Sequence, residues 1–167
     1  MQNTQIPADY RISVKPLLYR EGESKTVSLT IDAETAASYG IQCEELPRVE
    51  GKLENQAGVL FLHYHVSCVP SAECDRCLSP VLTPIEEDFS HVVVTQIASE
   101  QNDSEYLLAS DAMLDLAEAV MTDLRLSLPS KTLCSPDCKG LCPVCGCNRN
   151  ESECGCDSEG ITFSTEL

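Results

Sequence analysis

Tryptophan is absent from this sequence, and phenylalanine and tyrosine together supply only 5% of its residues. That scarcity speaks against an aromatic platform on which single-stranded bases could stack. Basic residues are scarce too: 11 Lys and Arg face 27 Asp and Glu, for a formal net charge of −16. Phosphate neutralisation needs clustered cations, so a broad nucleic-acid surface is excluded and any direct RNA contact has to be local. No apolar run approaches the roughly 20 residues that cross a bilayer. The opening stretch, MQNTQIPADYRISVKPLL, has no uninterrupted hydrophobic segment of the secretory kind, and the expected location is cytoplasmic. A glycine-rich phosphate loop, a Ser–His–Asp pattern and a His-Glu-x-x-His motif are all missing, so the chain is not expected to be an enzyme.

What remains is enough for one domain: 167 residues, 43% of them hydrophobic, can fill a core. Residues 26–31 (TVSLTI) alternate apolar and polar and predict a strand. Residues 46–54 and 59–69 predict the arms of a hairpin joined by Asn55-Gln56-Ala57-Gly58, since Asn and Gly tolerate the positive φ of tight turns. In the second arm Leu60, Leu62, Tyr64 and Val66 share one face, with Phe61, His63 and His65 on the other. Residues 81–95 again read as extended, and 34–39 as a short helix. The main helix is expected over 111–126. Asp111 would be its N-cap, Met113, Leu116, Ala117, Val120, Met121 and Leu124 recur at helical spacing, and Pro129 stops it. Asp111, Asp115 and Glu118 read as a solvated face suited to the helix dipole. The fold class expected is therefore α+β. An antiparallel sheet, with scope to curl toward a barrel, packs one main helix across residues 1–129. A Cys-rich zinc-knuckle tail over 130–167 packs on the same domain.

Cysteine dominates the chemistry. There are eleven, seven of them from Cys134 to Cys156, and in a reducing compartment such clusters read as metal ligands or redox groups before disulfides. From Ser130 onward large apolar side chains almost vanish, so hydrophobic packing cannot order the segment. Cys142-Pro143-Val144-Cys145-Gly146 has the form of a zinc knuckle: two intervening residues let both sulfurs reach one ion at about 2.3 Å, and the glycine suits a positive φ. Two further ligands would come from Cys134 and Cys138, from Cys154 and Cys156, or one from each pair. A single four-thiolate Zn2+ site is expected, closed to water and hence structural rather than catalytic. Lys131, Lys139 and Arg149 are placed to offset its charge of about −2. An iron–sulfur cluster and thiol redox chemistry are the alternatives for the same residues.

Cys74-Asp75-Arg76-Cys77 is a second pair at the same spacing. Redox activation would place it where a strand enters a helix, but Pro80, an extended segment and Pro84 follow. As half of a metal site it has no partner pair nearby in sequence, although folding could bring Cys68 or the tail close. Three readings stay open: a tight turn whose small thiols pack on the sheet, a partner or RNA contact through Arg76, and metal or redox chemistry. His63 and His65 form an i, i+2 pair without a third ligand in register, an ordinary surface pair. His91 has less support.

These residues together resemble the YceD family. The resemblance rests on Cys74-Asp75-Arg76-Cys77-Leu78, the extended segment and helix after it, the helix end Leu126-Ser127-Leu128-Pro129, and the string Cys138-Lys139-Gly140-Leu141-Cys142-Pro143-Val144-Cys145-Gly146. Asn148 and Asn150 fit as well, whereas Arg149 stands where the family usually has Leu, and Cys147 is an addition. The resemblance implies a role in accumulation of large-subunit ribosomal RNA. It also implies that zinc clamps the tail rather than performing the shared chemistry, because some family members keep the Cys-x-Arg-Cys turn without the tail cluster. The net charge then favours protein partners: a ribosome assembly factor, an rRNA-processing enzyme or a basic ribosomal protein. Cys74, Arg76 and Cys77 are the expected partner contact, and Lys139 and Arg149 could join Arg76 in a local RNA contact. A thiol oxidoreductase or redox sensor using Cys74 and Cys77 or the tail cysteines is the alternative function. A zinc reservoir is a third, and would require more than one ion per chain and easy release.

Overall fold

The computed structural model describes residues 10–96 and 106–156. Its elements are β1 (Arg11–Ser13), α1 (Lys15–Leu18), β2 (Ser24–Thr30), α2 (Ala33–Ser38), β3 (Gln42–Gln56), β4 (Val59–Glu73), β5 (Pro80–Leu82), β6 (Ile85–Val94), β7 (Tyr106–Leu108), β8 (Met113–Asp115) and α3 (Leu116–Ser127). Strands dominate, helices are few, and the class is α+β. The chain divides into two compact units. One is built from the residues up to Pro70 together with Thr83–Leu128, the other from Ser71–Leu82 together with the chain from Pro129.

The first unit carries a sheet in the order β2-β3-β4-β6-β7 and a separate two-stranded sheet of β1 and β8. Both are open; the curl toward a barrel expected from the sequence does not occur. The pairing is also not wholly antiparallel, because β6 and β7 run parallel, with Val92 opposite Tyr106 and Val94 opposite Leu108. The long hairpin of β3 and β4 turns where expected. Ala57 and Gly58 take φ of 52° and 87°, and the buried Asn55 side chain fixes the turn by accepting from the Gly58 N–H at 2.8 Å and donating to the Leu17 carbonyl at 2.6 Å. Leu60, Leu62, Tyr64 and Val66 all face the core, joined by Val27, Val49 and Leu53 of the neighbouring strands. The opposite face keeps His65 exposed. That is the period-2 burial of a sheet with one face covered.

The covering element is α3, which buries Leu116, Ala117, Val120, Met121 and Leu124. It begins four residues later than the sequence pattern suggests. Asp111 and Ala112 adopt φ of 53° and 57°, outside the right-handed helical region, and 113–115 pair with β1 as a strand. Asp115 is the N-cap and accepts from the Glu118 N–H at 3.0 Å. Buried Asp123 of α3 is held by the Tyr64 hydroxyl and by His91 Nε2, the latter at 2.6 Å.

Candidate metal centres

The second unit has almost no apolar core. Among the described residues its buried side chains are thiols, Cys74, Cys77, Cys138 and Cys142, the first three flanked by partly buried Val81, Leu133 and Leu141. Two turns of one design organise it. In the first, the Cys74 N–H donates to the Ser79 carbonyl at 2.8 Å and the Leu78 N–H donates to the Cys74 carbonyl at 2.9 Å. In the second, the Cys142 N–H donates to the Cys147 carbonyl at 2.8 Å and the Gly146 N–H to the Cys142 carbonyl at 2.8 Å. Each turn therefore folds a Cys-x-x-Cys so that both sulfurs point to one side while backbone N–H groups gather around the first.

Cys74 and Cys77 meet Cys134 and Cys138, and the four Sγ atoms all lie within 4.8 Å of one another. The Cys74–Cys138 and Cys77–Cys134 sulfurs are 3.8 and 3.5 Å apart. A tetrahedral ion with sulfurs at about 2.3 Å would set its edges near ~3.8 Å, so these separations fit Zn2+ with little movement. Burial raises the Cys74 thiol, but the N–H groups of Arg76, Cys134 and Cys77 outweigh it and bring the pKa down to about 6. The Ser79 hydroxyl and N–H lower Cys77. Cys134, donating to Cys138 and Cys77, is pushed up to about 12. Negative charge thus settles first on the turn, where a cation would meet it.

The surroundings lock this group. Arg76 donates from Nη1 to the Cys138 carbonyl at 2.9 Å, and its own carbonyl accepts from the Leu141 N–H at 2.9 Å. Gly140 is pressed so close that a Cβ there would lie 3.0 Å from the Arg76 carbonyl oxygen. Asn150 donates to Cys138 Sγ at 3.2 Å while accepting from the Lys139 N–H at 2.8 Å. Asp75 and Thr132 exchange a reciprocal pair of hydrogen bonds at 2.8 and 2.9 Å.

A second group collects Cys142, Cys145, Cys147 and Cys154, again within 4.8 Å, and Cys156 lines a cleft beside Cys142 and Cys154. The N–H groups of Cys145 and Val144 bring Cys142 down to about 6, and the Cys147 N–H lowers Cys145. The neighbouring Cys145 thiol holds Cys147 and Cys156 up at about 12. Lys139 and Arg149 line a cleft with Cys142, Cys154 and Cys156.

The six tail cysteines singled out from the sequence are thus distributed between two sets. Cys134 and Cys138 join Cys74 and Cys77, whereas Cys142, Cys145 and Cys154 gather with Cys147, with Cys156 in the cleft beside them. The repeated Cys-Gly-Cys at 145–147 and 154–156 was the available signal for Cys147. The histidines belong to neither set: His63 Nε2 lies 3.8 Å from Glu54 and His65 Nδ1 3.0 Å from Asp88. Cys43 and Cys68 lie outside both groups, and burial raises each thiol, Cys68 to about 12.

Comparison with known proteins adds a family likeness over these cysteines. The model described as "Large ribosomal RNA subunit accumulation protein YceD" matches residues 62–164. Uncharacterized proteins of Mycobacterium tuberculosis and Mycobacterium bovis are each 33% identical over 79 residues, covering 44% of this chain and 37% of theirs. A Zea mays protein named large ribosomal RNA subunit accumulation protein YCED homolog 1, chloroplastic, is 22% identical over 90% of this chain and 62% of its own length. The chain therefore spans less than two thirds of the length of these relatives. No solved structure matches it.

Proposed function

Because the chain belongs to the YceD family, we propose that it is a non-enzymatic factor supporting accumulation of large-subunit ribosomal RNA, with a structural zinc centre in its second unit. The observation that carries the zinc reading is the closed set of Cys74, Cys77, Cys134 and Cys138. Four thiolates complete a tetrahedron and leave no position for water, so the ion would order the backbone and perform no reaction. It would tie residues 71–82 to the chain after Pro129, in a segment whose few apolar side chains cannot do so.

The charge of −16 supports action through basic protein partners, met by electrostatic steering rather than by gripping RNA. A ribosomal protein, an assembly factor or a processing enzyme fits that chemistry. Exposed Arg76, Lys139 and Arg149 limit any direct RNA contact to a small patch. The test is the ratio of large- to small-subunit ribosomal RNA after depletion of the protein in its own cells. A selective fall in the large-subunit RNA is expected; an unchanged ratio would overturn the reading. Tight, steeply salt-dependent binding of bare rRNA fragments would overturn the preference for protein partners.

The low pKa of Cys74 also suits a redox thiol. That second reading requires Cys74 or Cys77 to alkylate readily in the zinc-loaded protein at neutral pH, and slow alkylation would dismiss it.

A further inference from the structure

We propose that Cys142, Cys145, Cys147, Cys154 and Cys156 form a second zinc centre whose ion is exchangeable, because five thiols share one tetrahedral ion. The inference extends the zinc reading to another ion and stands apart from the ribosomal RNA reading.

Number is the first argument. Zn2+ takes four thiolates in a closed site, and the first group offers four. In the second, Cys142, Cys145, Cys147 and Cys154 already lie within 4.8 Å of one another, and Cys156 lines the same cleft as Cys142 and Cys154. One ligand is surplus. Its source is the Cys-Gly-Cys pair at 154–156, which sets a bound thiol and a spare one a single residue apart. A Cβ at Gly155 would meet nothing within 4 Å, so no packing fixes which of the two sulfurs faces the ion.

Exposure is the second. Three of the four thiols in the first group are buried, and in the second only Cys142 is, while Cys145 is exposed. Cys138 also receives the Asn150 amide. Cys134 is the one exposed thiol of the first group, whereas Cys145 is exposed and Cys147 and Cys154 are half-buried in the second, so a competing ligand meets the second ion along more of its shell.

The exchange step conserves charge. The spare thiol of Cys156 binds zinc as one of the four bound thiolates departs, passing briefly through five-coordinate zinc. The proton lost by the incoming thiol goes to the departing thiolate. Net charge on the site stays near −2 throughout, beside Lys139 and Arg149 in the same cleft. No electron moves. The ion is thereby held by alternating ligand sets and can be handed to an outside thiolate or chelator by the same displacement.

The test uses the full chain loaded with Zn2+ alone. Native mass spectrometry should find two ions, and a chromophoric chelator should remove them in two phases of one ion each. Cys156→Ser should keep both ions and lose the fast phase. Where Cys156→Ser also loses the slow ion, and so has disturbed the fold, Cys147→Ser takes its place as the one-thiol deletion. Two ions leaving at one rate, or a fast phase unchanged in the variant, overturns the proposal. A single ion that Cys74→Ser abolishes overturns it while leaving the structural centre standing. No bound ion at all overturns both.

Discussion

Leu78 and Gly146 occupy the same place in the two Cys-x-x-Cys turns. Their φ angles are 59° and 74°, and each donates its N–H to the carbonyl of the first cysteine, Cys74 or Cys142, at 2.9 and 2.8 Å. A glycine reaches this left-handed region freely, whereas a leucine does so at a cost of about 1–2 kcal/mol. The Cys74 turn thus keeps its knuckle form against the preference of its own residue, tied by the hydrogen bonds of Cys74 to Ser79 and of Asp75 to Thr132.

Leu78→Gly should stabilise the second unit. Leu78 is 57% exposed, so little burial is lost. Relief of about 1–2 kcal/mol, offset by about 0.4–1 kcal/mol of added unfolded-state entropy, leaves a gain near 1 kcal/mol. Amide exchange across 74–82 should slow accordingly, and faster exchange would show that the leucine side chain packs more than its exposure suggests.

That leucine also explains where sequence reading stopped. The Cys142 turn was legible because Gly146 announces the positive φ; the Cys74 turn hid the same geometry behind Leu78. Its partners, Cys134 and Cys138, are 57 and 64 residues away along the chain in the contacts they make with Cys77 and Cys74, a distance that spacing alone cannot bridge. Local signals fared better. The Asn55–Gly58 turn set the register of the long hairpin, and the alternation from Leu60 to Val66 gave the buried face. The start of α3 was misplaced because Met113 continues the helical apolar spacing while its backbone pairs with β1, a long-range preference that propensity does not carry.

Tyr64→Phe should destabilise the first unit by about 1–3 kcal/mol, since it removes a donor from a buried carboxylate. Burial first, and then the Asp123 carboxylate, raises the Tyr64 pKa, so the hydroxyl remains a donor at neutral pH. Denaturant unfolding measures the change, and a shift within about 0.5 kcal/mol, the range of ordinary surface substitutions, would show that His91 alone satisfies Asp123.

Acid should weaken the first unit through Asp32, the N-cap of α2. The Tyr10 hydroxyl at 2.5 Å and the Thr35 N–H at 2.8 Å bring its carboxyl from 3.8 down to about 2. A depressed carboxyl contributes stability that is complete above its unfolded pKa and lost as pH falls through the folded value. The loss should fall between about pH 4 and 2. Tyr10→Phe should move it toward the upper end when ellipticity is followed against pH, and an identical acid profile would remove Asp32 as its source.

Chelation should loosen the second unit selectively. Amide protection is expected to fall over 71–82 and 134–156 and to persist in β2, β3 and the first part of β4, because a thiol-ordered segment loses its organiser while the apolar core keeps its own. Unchanged protection from Cys134 to Cys156 would contradict a structural role for the metal.

The most direct measurement is the zinc content of the purified full chain beside that of a Cys74→Ser/Cys77→Ser double variant. If the two cysteines of this turn complete a centre with Cys134 and Cys138, the variant binds one ion fewer than the parent and leaves the Cys142 group loaded. Equal zinc content in the two proteins would contradict that centre.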